Sequence, residues 1–322
     1  MSPLLRHIFA ALSLALPLAC GAQTFPSKPV KIIVGFPAGG PLDAHARLLA
    51  DRLGQALGQP VIIDYRAGAG GTVGAEFVAK SDPDGHTLLM ANTGTMVINP
   101  AVYTKLPYQT LRDFVPIART AQQPLALVVH PDVKARNIGE LVALAKAAPG
   151  RLNYGSAGNG GISHLVPEMF KQATGTFIVH IPYRGSAPAF TDLMAGQVQL
   201  MAESIPQAAQ YVKAGKLRAL AVTSRDRNAA LPEVPTMIEA GLKDFEVVGF
   251  YGVLAPAGTP KAAVDKLSAA FKATLDTPEL RSRMVTQGAD PAFLGAEDFT
   301  KFLAAEMPRW AKVVKDSGTK LD

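Results

Sequence analysis

The sequence predicts an α/β protein of two lobes, each a mostly parallel sheet with flanking helices, joined by two hinge crossings. Three observations predict it: short apolar runs alternate with helical patterns, the alternation breaks and restarts once, and helices without intervening strands close the chain. With 322 residues and 48% hydrophobic content, the chain can fill two ordinary cores.

The first lobe opens with a strand over 31–34, a helix over 42–57, a strand over 61–64, a helix near 73–80 and a strand over 87–90. Ile32-Ile33-Val34 and Val61-Ile62-Ile63 are apolar throughout, which suits strands covered on both faces. The rhythm restarts with strands over 125–130, 152–154, 177–180 and 198–201, separated by helices over 138–147, 163–173 and 188–195. A helix near 207–214 and a strand over 217–222 follow before Pro232 and Pro235 break the pattern. A strand-like run over 245–254 precedes Pro256-Ala257-Gly258-Thr259-Pro260. Helices near 262–275, 278–287 and 296–314 then show no strand rhythm of their own. Laid over the first lobe, they make the chain cross near 124–130 and near 250–255. The expected division is a leader over 1–22, a first lobe from 23–123 plus 251–322, and a second lobe over 124–250. Two crossings make a hinge, and hinged lobes around a cleft form a ligand trap.

The leader is read from Arg6, the apolar stretch 8–18 and the small residues Cys20-Gly21-Ala22, a signal-peptide pattern that implies export to the periplasm. Cys20 is the only cysteine, so the mature chain has neither an internal disulfide nor a cysteine metal site. A lipid anchor at Cys20 is the alternative, but Pro17 stands where a lipoprotein signal carries leucine. The net charge is +6 and the basic residues are scattered, which argues against nucleic acid and fits small anions better.

Four loops follow strands and precede helices: 35–40, 91–95, 155–161 and 183–188, rich in Gly, Ser, Thr and Asn. Open parallel sheets bind ligands there, and unpaired N–H groups at helix starts favour anions. Such side chains hold a carboxylate rather than attack one. His164, at the start of the helix after the third loop, is either a ligand contact or a cap or core residue. Glu203 selects a ligand ammonium or hydroxyl, or caps the helix that follows. Asp43 compensates a helix dipole or touches ligand, and Arg66 and Arg184 offer forks to a carboxylate or surface ion pairs. Gly68 to Gly74 miss the dinucleotide fingerprint by one position, no serine sits in a nucleophile elbow, and the six histidines lack metal-ligand spacing. No cofactor, no metal and no catalysis are expected.

At these loops the sequence resembles the Bug family, the substrate-binding receptors of tripartite tricarboxylate transporters. The resemblance is carried by Pro37-Ala38-Gly39-Gly40 with Asp43, Gly68-Ala69-Gly70-Gly71, Asp82-Pro83-Asp84-Gly85, Ile98-Asn99-Pro100, the run 152–160, Pro182-Tyr183-Arg184-Gly185-Ser186-Ala187-Pro188-Ala189 and Ala255-Pro256-Ala257-Gly258-Thr259-Pro260. These run in order over nearly the whole mature chain. The resemblance implies a type II-like periplasmic binding protein that hands a di- or tricarboxylate, amino acid or aromatic acid to membrane permease subunits in transient contact; a monomer is expected. One ligand carboxylate would be held by the loop Ala38 to Gly40, with contacts at Phe36, Gly39, Gly40, Thr93, Thr95, Ser156, Asn159, Tyr183 and Ser186. The chain departs from the family pattern at Tyr65, Ala67, Glu203 and Phe250, and the last two are expected near the far end of the ligand. A sensor co-receptor for a membrane signalling protein is the alternative function. A hydrolase using a Ser/His pair is the third and has no nucleophile motif behind it.

Overall fold

The computed structural model describes residues 25–286 and 289–321; the leader expected over 1–22, with Cys20, lies outside the described residues. In order come β1 (Val30–Val34), α1 (Pro41–Leu57), β2 (Val61–Tyr65), α2 (Thr72–Ala79) and β3 (Thr87–Asn92). A π-helical turn, Gly94–Ile98, and two single-turn helices, Asn99–Val102 and Thr110–Asp113, lead into β4 (Phe114–Val129). The chain continues through α3 (Ile138–Ala147), β5 (Asn153–Ser156), α4 (Ile162–Thr174), β6 (Val179–Pro182), α5 (Ser186–Met194), β7 (Leu200–Ser204), α6 (Ile205–Lys213) and β8 (Arg218–Val222). It closes with β9 (Val248–Pro256), α7 (Lys261–Leu275), α8 (Pro278–Thr286), β10 (Asp290–Gly295) and α9 (Ala296–Ser317).

One sheet has the order β2-β1-β3-β9-β4, with β10 on the outer side of β4; the other has β4-β7-β5-β6, with β8 on β4. The 16-residue β4 belongs to both. It pairs β9 as far as Pro124, opposite Val248, and pairs β7 and β8 from Leu125 and Ala126 onward. Pro124 has no N–H to give a ladder, so the change of partners falls where the sequence removes a donor. The return is alongside: the Val247 N–H donates to the Thr223 carbonyl. Buried Thr223 ties the two crossings, its Oγ accepting from the Leu125 N–H at 2.9 Å and donating to the Val247 carbonyl at 2.6 Å.

The sheets are mixed rather than mostly parallel. β1–β2, β1–β3, β5–β6 and β5–β7 are parallel, whereas every pairing made by β4 or β9 is antiparallel. The parallel pairs come from the crossover units, and the antiparallel ones from β4, which runs through both sheets, and from β9, which returns beside its first half. The C-terminal segment also contains a strand, β10, which the helical periodicity on either side conceals. The first half of β4 was not legible as a strand because Pro116, Arg119, Gln122 and Gln123 interrupt the apolar run and two register shifts break its ladder.

Burial follows the two faces of each sheet. Ile32 and Val34 of β1 pack under α1 and α7 with Leu49, Leu53, Leu267 and Phe271, while Ile33 faces the opposite core. In the second sheet, Leu127 and Val129 join that opposite core, and Ala126 and Val128 face Phe190, Leu193 and Ile205. The period of two sends alternate residues of one strand to different cores. Helix α9 presents Phe299, Leu303, Trp310, Val313 and Val314 as one buried stripe, and it touches both β4 and α4. Gly252 of β9 is required there, since a Cβ would lie 2.4 Å from the Phe299 ring. Truncating Phe299 to alanine would cost about 3–5 kcal/mol. Among the described residues no helix is long and apolar enough to cross a membrane.

Candidate ligand-binding site

Between the two sheets lies a cavity of about 400 Å³, within the usual range for small-molecule sites. The first sheet's loops contribute Phe36, Pro41, Asn92, Thr93 and Gly94; the second's contribute Ala157 to Ser163, Glu203 and Ser204; Gln123, Leu125, Gly249 and Tyr251 come from the crossing strands. A hollow of about 650 Å³ beside Pro100, Leu111 and Met307 is larger but carries none of the glycine-rich loops. Helix α1 starts at Pro41, α4 at Ile162 and α6 after its N-cap Ser204, so three helix starts reach this cavity from both sheets. First-turn N–H groups have no carbonyl four residues back, and with the helix dipole they favour an anion.

The loop between β5 and α4 lines the cavity with consecutive residues, and side chains behind it fix its shape. Ser163 Oγ accepts from the Ala157 N–H at 3.1 Å, Ser156 Oγ from the Gly158 N–H at 3.2 Å, and His164 Nδ1 from the Gly160 N–H at 3.0 Å. His180 Nε2 lies 2.6 Å from Ser156 Oγ, and its ring stacks on His164 at 4.0 Å and on Tyr154 at 4.7 Å. Burial pushes His180 down to about 3, helped by the neighbouring His164 and Lys171, and burial also lowers His164. Both imidazoles are therefore neutral at pH 7, which leaves Nδ1 of His164 able to accept. His164 and Ser156 stand behind the loop rather than in the lining; Asn159 lines the cavity and is exposed.

The loop before α1 is built differently. Ala38 and Gly39 are exposed, and only Phe36 and Pro41 of this segment line the cavity, so Ala38, Gly39 and Gly40 form its rim. Asp43 is buried beneath them and accepts from the Gly39 N–H at 2.7 Å, Arg47 Nε at 2.8 Å and Tyr65 Oη at 2.7 Å. Burial opposes its charge, but these three donors outweigh burial and hold the carboxyl below its ordinary value. Tyr65 thus has a local role in fixing Asp43, and also bonds Arg47. Arg66 pairs with Asp64, away from the cavity.

Thr93 lines the cavity and its Oγ accepts from the Phe250 N–H at 2.8 Å. Thr95 lies behind it, donating from Oγ to Asn92 Oδ1 at 3.1 Å and to the Gly70 carbonyl. Tyr183 donates to Asp192 at 2.7 Å, outside the lining. Ser186 is not in the lining either but reaches it through Glu203, donating to Oε2 at 2.6 Å. Glu203 also accepts from the Ser204 N–H at 2.9 Å; burial pushes its carboxyl up, with Ser186 and the Ser204 amide opposing. Phe250, expected near the ligand, is a core residue with its ring edge-on to Phe299 and Phe302.

Sequence reasoning missed Asn99, Tyr103, Gln123, Ser163, Ser204, Tyr251 and Leu321 in the lining. Ser204 ends its strand as Asn92 does, so the strand-end rule that picked out the loop 91–95 applies equally to it. Gln123 and Tyr251 carry no local signal, because only the crossing strands bring them to the cleft.

With the geometry in place, the likenesses to known proteins are consistent. Residues 45–319 match the family described as the tripartite tricarboxylate transporter family receptor. Protein BugT of Bordetella pertussis is 38% identical over 301 residues, 93% of this chain and 92% of that protein. The structure titled R. palustris Rpa4515 with adipate is 35% identical with a TM-score of 0.84, covering 92% of this chain and 100% of that one. MatC from Rhodopseudomonas palustris, with bound malate, is 33% identical with a TM-score of 0.79 over 90% of this chain and 100% of that one. The family match and this degree of identity along nearly the whole sequence place the chain in the tripartite tricarboxylate transporter receptor family, whose members are solute-binding receptors rather than enzymes.

Proposed function

We propose that this protein is a periplasmic receptor that holds a small carboxylate in the cleft between its two lobes and passes it to membrane permease subunits. The observation that carries the reading is the convergence of three helix starts, from both sheets, on one cavity of about 400 Å³. The adipate and malate in the related structures are carboxylates of fitting size. The leader pattern over 1–22 supports export. The lobes divide in this reading at Pro124/Leu125 and Val247/Val248, where β4 and the returning chain change sheets, and the protein acts as a monomer.

A thermal-shift screen against mono- and dicarboxylates, amino acids and aromatic acids tests the reading. A ligand at about 100 times its dissociation constant adds roughly 2.7 kcal/mol of stability. A rise in melting temperature with one class of acid is expected; no rise with any acid sinks the proposal.

A further inference from the structure

Among the described residues that line the cavity, Glu203 is the only acid, and no lysine, arginine or histidine accompanies it. We propose that Glu203 selects a ligand bearing an ammonium group together with its carboxylate, and discriminates against dicarboxylates. This inference rests on the carboxylate-receptor reading above and deepens it.

The position of Glu203 is fixed and its acceptors are not exhausted. Oε2 takes the Ser186 hydroxyl and Oε1 the Ser204 N–H, and a carboxylate oxygen accepts a further donor beside each. The start of α6 at Ser204 favours a negative charge there. Ser204 Oγ, in the same lining, is buried with no hydrogen-bond partner, an orphan that a ligand donor or acceptor would complete. Tyr251, in the lining and bonded to Gln123, lies within electrostatic reach of Glu203, which stands in β7 opposite Ala126 of β4.

Charge balance then separates ligand classes. A carboxylate is served by the uncharged helix starts. A second carboxylate meets Glu203 with no cation in the lining to offset it, whereas an ammonium pairs with Glu203 and keeps it ionised. Specificity thus comes from repulsion of one class as much as from attraction of the other.

The test is titration calorimetry at low ionic strength with the mature protein, using dicarboxylates and ω-amino acids matched in length from three to six carbons, α-amino acids, and the corresponding ω-hydroxy acids. The best amino acid is expected to bind about tenfold or more tighter than the best dicarboxylate. Glu203→Gln keeps the shape and the acceptor for the Ser204 N–H, and should shift that ratio about tenfold toward dicarboxylates. If Glu203→Gln does not fold, the wild-type ranking alone decides. Tighter binding of a dicarboxylate or a hydroxy acid than of any amino acid, or an unchanged ratio in the variant, overturns the inference while leaving the carboxylate receptor standing. Silence from every acid overturns both.

Discussion

The starts of α1 and α4 are two copies of one local design with different side chains behind them. In each, a glycine with positive φ (Gly39 at +85°, Gly160 at +74°) precedes an extended glycine N-cap, Gly40 or Gly161. In each, the side chain at the third helical position accepts the N–H of the first glycine: Asp43 from Gly39, His164 from Gly160. The α1 copy is anchored by a charge and is mostly rim, whereas the α4 copy is anchored by a buried neutral imidazole and its residues line the cavity in succession. The same backbone therefore serves as an edge in one place and a floor in the other, and only what packs opposite it makes the difference.

The largest expected effect separates floor from rim. Gly160→Val places a side chain in the lining, with its Cβ 2.6 Å from Leu321 and a positive φ to hold, and should weaken ligand binding about 100-fold. Gly39→Val meets open space, and should cost about 1–2 kcal/mol of stability from its φ but less than about tenfold in affinity. Calorimetry and thermal unfolding of the pair check this, and equal losses of affinity at both would erase the distinction. The same pair tests the expectation from sequence that the loop Ala38 to Gly40 holds a ligand carboxylate, which a larger loss of affinity at Gly39 than at Gly160 would support.

A smaller effect separates the two anchors by pH. His164 and His180 are held below the ordinary histidine value, His180 at about 3, so the folded state resists a proton that the unfolded chain accepts below about 6.5. Stability is then full above that pH and falls as pH drops toward about 3, by about 1–2 kcal/mol at pH 5 for His180. Asp43 is held low instead, so its contribution is present above the ordinary value of 3.8 and is lost only as pH falls through its depressed value. Melting temperature against pH should lose part of its slope between pH 5 and 6.5 in His180→Gln, whereas Asp43→Asn should lower the curve evenly above about pH 4 and flatten only the limb below it.

The smallest effect concerns a single bond. Ser163→Ala removes the acceptor for the Ala157 N–H, and should cost about 1 kcal/mol of stability and about fivefold in affinity, read by thermal unfolding and calorimetry. A loss as large as that of Gly160→Val would mean that Ser163 touches the ligand directly.

Much of the fold was legible because strand and helix periods are written locally. Ile32-Ile33-Val34 read as a strand covered on both faces, and its residues do divide between two cores. The repeated spacing Gly-Gly-x-x-Asp and Gly-Gly-x-x-His was also present to be read, and it marks both helix starts. The strand-end rule picked out the loops that hold Phe36, Thr93 and Asn159, the family resemblance named those residues, and Glu203 was read just after its strand; all four line the cavity. His164 was harder, since a histidine at a helix start reads the same whether it faces ligand or props a loop from behind.

The sequence by itself determined the α/β class, the restart of the rhythm, the glycine-rich loops at strand ends and the family, because each depends on neighbours within a few residues or on motifs in order. Only the tertiary structure decided that β4 and β9 turn the sheets mixed, that Gln123 and Tyr251 join the lining, that Phe250 is core and that, among the described residues, Glu203 stands without a lysine, arginine or histidine in the lining. Those depend on pairings between residues more than a hundred positions apart, such as Ala121 with Tyr251, and no local pattern encodes what a distant strand brings opposite.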